Sequence, residues 1–200
     1  MAPAPAARSA YFDRLYARQA DPWQLATRFY EQRKRALQLA CLPRPRFRRA
    51  FEPGCALGLL TEELAARCDE LVATDAAKAA VRQTRVRVGE ADHVRIGQGR
   101  IPDQWPDGTF DLIVISEVGY YCPDLDALRR RIGTSLTEDG VLLACHWRHP
   151  APDHPHGAGP VHEALGTDLL PLVRHVEQDF LLDVWSRSGV SVATSEGVLD

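Results

Sequence analysis

No run of about 18 apolar residues occurs in the 200-residue chain, so nothing in it reads as a membrane-spanning helix. The opening Met1-Ala-Pro-Ala-Pro-Ala-Ala-Arg8 has no long apolar stretch and does not read as a secretory signal. An excess of one charge is missing too. The formal net charge is −3, which gives no general pull toward nucleic acid or an anionic membrane. Five cysteines (Cys41, Cys55, Cys68, Cys122, Cys145) stand far apart with no C-x-x-C. An odd, scattered set excludes a disulfide framework and points to a reducing, cytoplasmic setting. No internal repeat or second core appears. With 45% hydrophobic residues, the chain suits one domain with a core of useful size.

What is present centres on residues 50–75. Ala50-Phe-Glu-Pro-Gly54 reads as a short strand, Gly54 to Gly58 as a thin turn, and Leu59 onward as a helix. Gly54, Ala56 and Gly58 let backbone N–H groups approach a ligand at a helix N-terminus. A second strand, Leu71-Val-Ala-Thr-Asp75, ends in an acid 21 residues after Gly54. An acid at that distance accepts from the two hydroxyls of a ribose in nucleotide-binding α/β folds. Dinucleotide folds place a third glycine where this chain has Leu59, which argues against a dehydrogenase. The spacing Glu52-x-Gly54-x-Ala56-x-Gly58 instead resembles the first motif of class I S-adenosylmethionine-dependent methyltransferases, with Ala56 at the middle glycine.

Along the chain, residues 1–10 read as a disordered Ala/Pro tail. Asp21-Pro22-Trp23-Gln24 reads as a helix start, with a helix predicted to about Leu42. Between Arg28 and Arg49 stand eight basic residues and one acid, Glu31. Such a run is usually a solvated face, and no nucleic-acid partner is expected. Helices are predicted over 77–88, 124–136 and 161–172. Strands are predicted at 93–97, 110–116, 141–147, 179–186 and 191–198, the last antiparallel. Phe110-Asp-Leu-Ile-Val-Ile-Ser116 is the clearest of them, an apolar run typical of a buried parallel strand. Alternating strands and helices mean an α/β, doubly wound, mostly parallel seven-stranded sheet. It forms one domain over 11–200, and the methyltransferase resemblance implies that 11–45 act as an N-terminal helical lid.

Further segments narrow the resemblance. Asp21-Pro-Trp23, Tyr30-Glu-Gln-Arg-Lys34, Phe51-Glu-Pro-Gly-Cys-Ala-Leu-Gly58, Phe110-Asp-Leu-Ile-Val-Ile-Ser-Glu-Val-Gly-Tyr-Tyr121, His146-Trp-Arg-His-Pro150 and Asp179-Phe-Leu-Leu-Asp-Val-Trp185 are similar to the methyltransferase family of nodulation protein S. That resemblance implies S-adenosyl-L-methionine as cofactor. It implies a lid in which Trp23, Tyr30 and Arg33 touch the cofactor, with Arg33 pairing the methionine carboxylate. Glu52, Gly54, Ala56, Gly58, Asp75, Ala76, Gly99, Ile101 and Ser116 complete the implied cofactor set. One segment departs from the family. Where an Asp commonly accepts from the adenine amino group, this chain has Arg100, and arginine has no acceptor. Adenine recognition then falls to backbone, to Gln98 or to Asp103, with Ile101 packed on the ring.

Methyl transfer from a sulfonium asks mainly for alignment and exclusion of water, and an amine acceptor must also lose a proton. The C-terminal ends of the fourth and fifth strands supply Ser116, Glu117, Tyr120, Tyr121 and His146 to the crevice. Glu117 is the first choice for orienting or deprotonating an amine, His146 the second. Either fits a structural hydrogen bond equally well. Tyr120, Tyr121, Arg148 and His149 are candidates to hold the acceptor. Five histidines between 146 and 162 match no common zinc spacing, and a polar substrate loop is the expected reading. The resemblance suggests N-methylation of a small polar acceptor such as a deacetylated amino-sugar or oligosaccharide. O- or N-methylation of another metabolite and a non-catalytic cofactor-binding protein are the alternatives. Neither membrane nor metal is expected, and oligomeric state is left open.

Overall fold

Strand β4 (Phe110–Ser116) divides its apolar run between two cores. Leu112 and Val114 pack with one cluster, Ile113 and Ile115 with the other, because successive strand residues point to opposite faces. A strand buried on both sides therefore reads as continuously apolar rather than alternating. The computed structural model describes residues 5–199.

Helices α1 (Pro5–Arg18) and α2 (Phe29–Ala40) precede the sheet. Then come β1 (Phe47–Pro53), α3 (Leu59–Ala65), β2 (Cys68–Asp75), α4 (Lys78–Val88), β3 (Val94–Gln98) and β4. After a short 3₁₀ turn at Gly119–Tyr121 follow α5 (Leu125–Ser135), β5 (Leu136–Trp147), α6 (Ala158–Gly166), β6 (Leu170–Val176), β7 (Phe180–Ser186) and the one-turn α7 (Val192–Ser195). The expected seven-stranded sheet is present, in the order β3-β2-β1-β4-β5-β7-β6. β1 to β5 are parallel, and β7 runs antiparallel to both of its neighbours. One face carries Leu128 and Ile132 of α5 and Val161 and Leu165 of α6. The other carries Leu60 and Leu64 of α3, with Tyr30 and Leu37 of α2 packed at its margin. The strand order reverses between β1 and β4, so the crevice for a ligand opens beyond their carboxyl ends.

Several element boundaries differ from the sequence reading. The tail expected to be disordered over 1–10 is helical from Pro5, a residue suited to a first helical turn, and residues 1–4 lie outside the described residues. The helix predicted from Asp21 begins only at Phe29, after Gln24 takes a left-handed φ of 59°. Asp21 still acts locally, its carboxylate accepting from Leu25 N and Ala26 N. Helix α6 stops at Gly166, where a Cβ would lie 2.8 Å from the Trp185 ring, and the rest of the predicted helix is edge strand β6. Pro171 is tolerated there because an edge strand leaves one row of its N–H groups unused. The strand expected at 191–198 is instead α7, capped by the Ser191 hydroxyl accepting from Thr194 N.

Candidate active site

The turn after β1 is built for close approach. Gly54, Ala56 and Gly58 take left-handed φ values of 79°, 50° and 75°. A Cβ at Gly54 would lie 3.0 Å from Val118, and one at Gly58 2.9 Å from the Thr84 Cα, so neither position has room for a side chain. Gly54 N and Cys55 N both donate to Thr74 O, which pins the turn against the end of β2. Asp75, nearly buried at that strand end, accepts from Ala56 N at 3.0 Å and Ala77 N at 2.8 Å. Each carboxylate oxygen keeps a further lone pair. Burial raises its pKa to about 6 against the pull of those two N–H groups.

Above this turn lies a cavity of about 850 Å³. Its walls include Gly54, Ala56, Asp75, Ala76, Gly99, Ile101 and Ser116, and also Glu117, Tyr120 and Tyr121. Trp23 and Tyr30 also line it, together with Tyr11, Phe12 and Tyr16 of α1. The structure thus brings most of the sequence-predicted set around one space. Six predicted residues are placed elsewhere. Glu52 is buried beneath the turn with Oε2 unpartnered, and burial raises its carboxyl to about 8. Gly58 serves the packing of α3 on α4. Arg33 is turned to the protein surface, where its guanidinium pairs with Glu177 at 2.7 Å. Arg148 hydrogen-bonds the Glu177 carbonyl, and His149 meets Asp179 at 2.8 Å on the exposed side of the loop.

His146 is the sixth. It is fully buried, and its Nε2 accepts from Gly119 N at 3.0 Å. Its Nδ1 meets His162 Nε2 at 2.9 Å, and His162 Nδ1 meets Asp183 Oδ2 at 2.7 Å. Each imidazole in this chain donates from Nδ1 and accepts at Nε2, so both are neutral and satisfied. Burial, then His162, holds His146 well below its ordinary pKa. The chain anchors the segment after β4 and gives His146 no face toward the cavity, because β5 alternation points it at α6.

Glu117 sits in the cavity wall with a left-handed φ of 53°. Its carboxylate already accepts from Lys34 Nζ at 2.7 Å, Trp147 N at 3.1 Å and the Tyr120 hydroxyl. Lys34 is buried, lies 4.8 Å from the Tyr30 ring centre, and also pairs with Glu31. Burial lowers the ammonium's pKa, but Glu117 and Glu31 outweigh it and raise the net value, so Lys34 stays charged. Burial, and then Glu117, raises the Tyr120 phenol well above its usual pKa; burial, and then Asp153, raises that of Tyr121. Both tyrosines are hydrogen-bond donors, not bases. Sequence reasoning missed Lys34, although Tyr30-Glu31-x-x-Lys34 puts all three on one helix face. It also passed over Asp153 and His154, which line the same wall.

The segment after β3, which the sequence reading assigns to adenine, also lines the cavity in part. Arg100 lines the cavity but pairs with Asp103 at 3.0 Å. Gln98 donates to Ala76 O and is not in the lining, which leaves Asp103 and the backbone of 99–101 beside Ile101.

A family model for nodulation protein S (NodS) matches residues 11–149. The chain belongs to the NodS family. Nodulation protein S of Bradyrhizobium diazoefficiens is 35% identical over 127 residues, covering 62% of this chain and 61% of that protein. That of Rhizobium tropici is 33% identical over 117 residues, 58% and 49% respectively. The chain therefore spans about half the length of the curated relatives it matches. Among solved structures, N-methyltransferase NodS from Bradyrhizobium japonicum WM9 was crystallised with S-adenosyl-L-homocysteine. It is 26% identical with a TM-score of 0.77, covering 91% of this chain and 98% of that one. A Pseudomonas syringae protein described provisionally as a methyltransferase is 50% identical with a TM-score of 0.71, covering 80% and 100%. The NodS-family sheet is thus the class I methyltransferase fold.

Proposed function

We propose that this NodS-family protein is an S-adenosylmethionine-dependent methyltransferase that N-methylates a small polar amine. The observation that carries the reading is one cavity lined both by a glycine turn with a ribose-type acid and by a charged, tyrosine-rich set of side chains. The residues fit the cofactor. Gly54 keeps the turn thin where a Cβ would crowd Val118, Asp75 keeps acceptor capacity for two hydroxyls, and Ile101 offers an apolar face to a purine. Asp103 and the backbone of 99–101 take the adenine edge. Trp23 and Tyr30 cover the far side. With Arg33 held by Glu177, the methionine carboxylate falls to Arg28, a cation in the lining. When bound, the sulfonium supplies an already activated methyl group. The protein's own part is to align the acceptor, keep water out and manage a proton. Family membership favours a deacetylated amino-sugar as the acceptor, and Glu117, Tyr120 and Tyr121 are the groups offered to its ammonium and hydroxyls.

Thermal and chemical denaturation test the donor. S-adenosylhomocysteine at about 100 times its Kd should add about 2.7 kcal/mol of stability. Asp75→Ala should lose most of that gain, since two hydroxyls lose a charged acceptor. Labelled methyl transfer to D-glucosamine tests the acceptor. Stabilisation by NADH and not by the homocysteine compound would overturn the reading; binding without turnover would leave a cofactor-binding protein.

A further inference from the structure

The loop between β5 and α6 carries His154 into the acceptor wall, where the ring lies flat on Tyr120 with centroids 3.7 Å apart and planes 16° from parallel. Tyr121 meets the same ring edge-on at 4.9 Å. Two aromatic neighbours fix the imidazole in orientation without using its nitrogens. Neither nitrogen has a hydrogen-bond partner among the described residues, and Asp153 Oδ1 stands 3.8 Å from Nε2. The other ionisable groups of this wall are committed. Glu117 holds Lys34 and Tyr120, Lys34 is kept charged, and the tyrosines are kept protonated.

We infer that His154 is the base that takes the proton from an amine acceptor in this site, an assignment that rests on the methyltransferase reading above. The proton passes from the acceptor's ammonium to an imidazole nitrogen. The former N–H pair stays on the acceptor as the lone pair that receives the methyl, and the pair of the broken carbon–sulfur bond stays with sulfur. His154 then carries the positive charge and returns the proton to solvent. Its surroundings suit this cycle. Burial lowers the pKa of the imidazole, and Asp153 and Glu117 partly offset that, leaving it below its ordinary value and neutral at pH 7. Asp153, itself accepting from Tyr11 of α1, stabilises the imidazolium once formed. Tyr120 and Tyr121 face the ring as neutral phenols, and His146 stands behind Tyr120 as a neutral imidazole.

The test uses the full chain and His154→Gln, which keeps a planar polar group over Tyr120 but cannot titrate. With D-glucosamine and labelled methyl donor, kcat at pH 7 should fall about 10²-fold, within the range for a general base. KM and the Kd for S-adenosylhomocysteine should stay within about twofold, and the loss should shrink as pH rises and the free amine becomes neutral. The acid limb of the wild-type pH–kcat profile should move in the variant from the titration of the imidazole to that of the acceptor amine itself. An independent readout is the imidazole C2–H resonance lost in His154→Gln. In the complex with S-adenosylhomocysteine it should report a neutral ring at pH 7 and shift on addition of glucosamine. An unchanged kcat and profile overturns the inference. So does a ring found protonated at pH 7, or a loss equal at every pH with weakened S-adenosylhomocysteine binding. A wild type that binds S-adenosylhomocysteine yet methylates no amine removes the substrate this step needs and also overturns it. Failure of S-adenosylhomocysteine to bind the wild type is a different result, and it would sink the donor reading instead.

Discussion

Ala56 is the residue at which the nucleotide turn carries visible strain. It is a non-glycine at φ 50° between two glycines that are also left-handed. An L-residue in that region costs roughly 1 kcal/mol. Ala56→Gly should therefore raise stability in urea unfolding by up to about 1 kcal/mol, reduced by the entropy glycine loses on folding. S-adenosylhomocysteine affinity should be unaltered. A destabilised variant would mean that the methyl packs against something this conformation does not show. The turn and its acid were legible because backbone geometry forces small residues and a fixed strand length between Gly54 and Asp75. The proposed catalytic wall was much less so. His146 and Glu117 both fall at strand ends, and strand-end position alone does not say which face a side chain takes. Once β5 alternates, His146 points to α6 and is spent on Gly119 and His162. His154 carries no periodic signal at all, since it stands in a Pro/His-rich loop whose path is set by tertiary contacts.

At the scale of elements, the Lys34–Glu117 pair joins α2 to the end of β4. Glu117 is a quarter exposed and Lys34 only 5%, so removing the lysine would leave a partly desolvated carboxylate facing Tyr120 alone among side chains. Lys34→Met should cost about 2 kcal/mol or more. Lys34→Met with Glu117→Gln should recover part of that loss. A double-mutant cycle by chemical denaturation measures the coupling, and simple additivity would show that the pair does not tie the helix down. The two misread stretches at 161–172 and 191–198 lie in the C-terminal part of the chain, where short apolar runs fit helix and strand equally. There Gly166 against Trp185 and the Ser191 cap decide the outcome, and neither is a matter of periodicity. In the parallel half, by contrast, β4 was readable because a doubly buried strand must be apolar throughout.

For the whole molecule, two buried carboxyls beneath and beside the cavity set the pH response. Glu52 is raised to about 8 and Asp75 to about 6, in both cases chiefly by burial. The native state therefore holds protons that the unfolded chain has released by about pH 5. Stability should fall as pH rises from about 5 to 8, because there the native state binds more protons than the unfolded one. Glu177 acts oppositely: its pairing with Arg33 lowers it to about 2, a contribution complete above about pH 4.5 and lost on acidification. The free protein should be most stable near pH 5, and Glu52→Gln should flatten the decline above pH 6. S-adenosylhomocysteine affinity should instead weaken as pH drops through about 6, where Asp75 protonates, and calorimetry on Asp75→Asn should show no such trend. The roof of the cavity adds an optical consequence. Of four tryptophans, Trp23 and Trp147 line the cavity, while Trp185 is buried in the core against α6. Trp23 is 37% exposed, so its emission is that of an indole still in contact with water. A ligand that fills the cavity and covers Trp23 should shift the protein's intrinsic fluorescence to the blue, and Trp23→Phe should abolish most of that shift. The molecule carries its own dye for cavity occupancy.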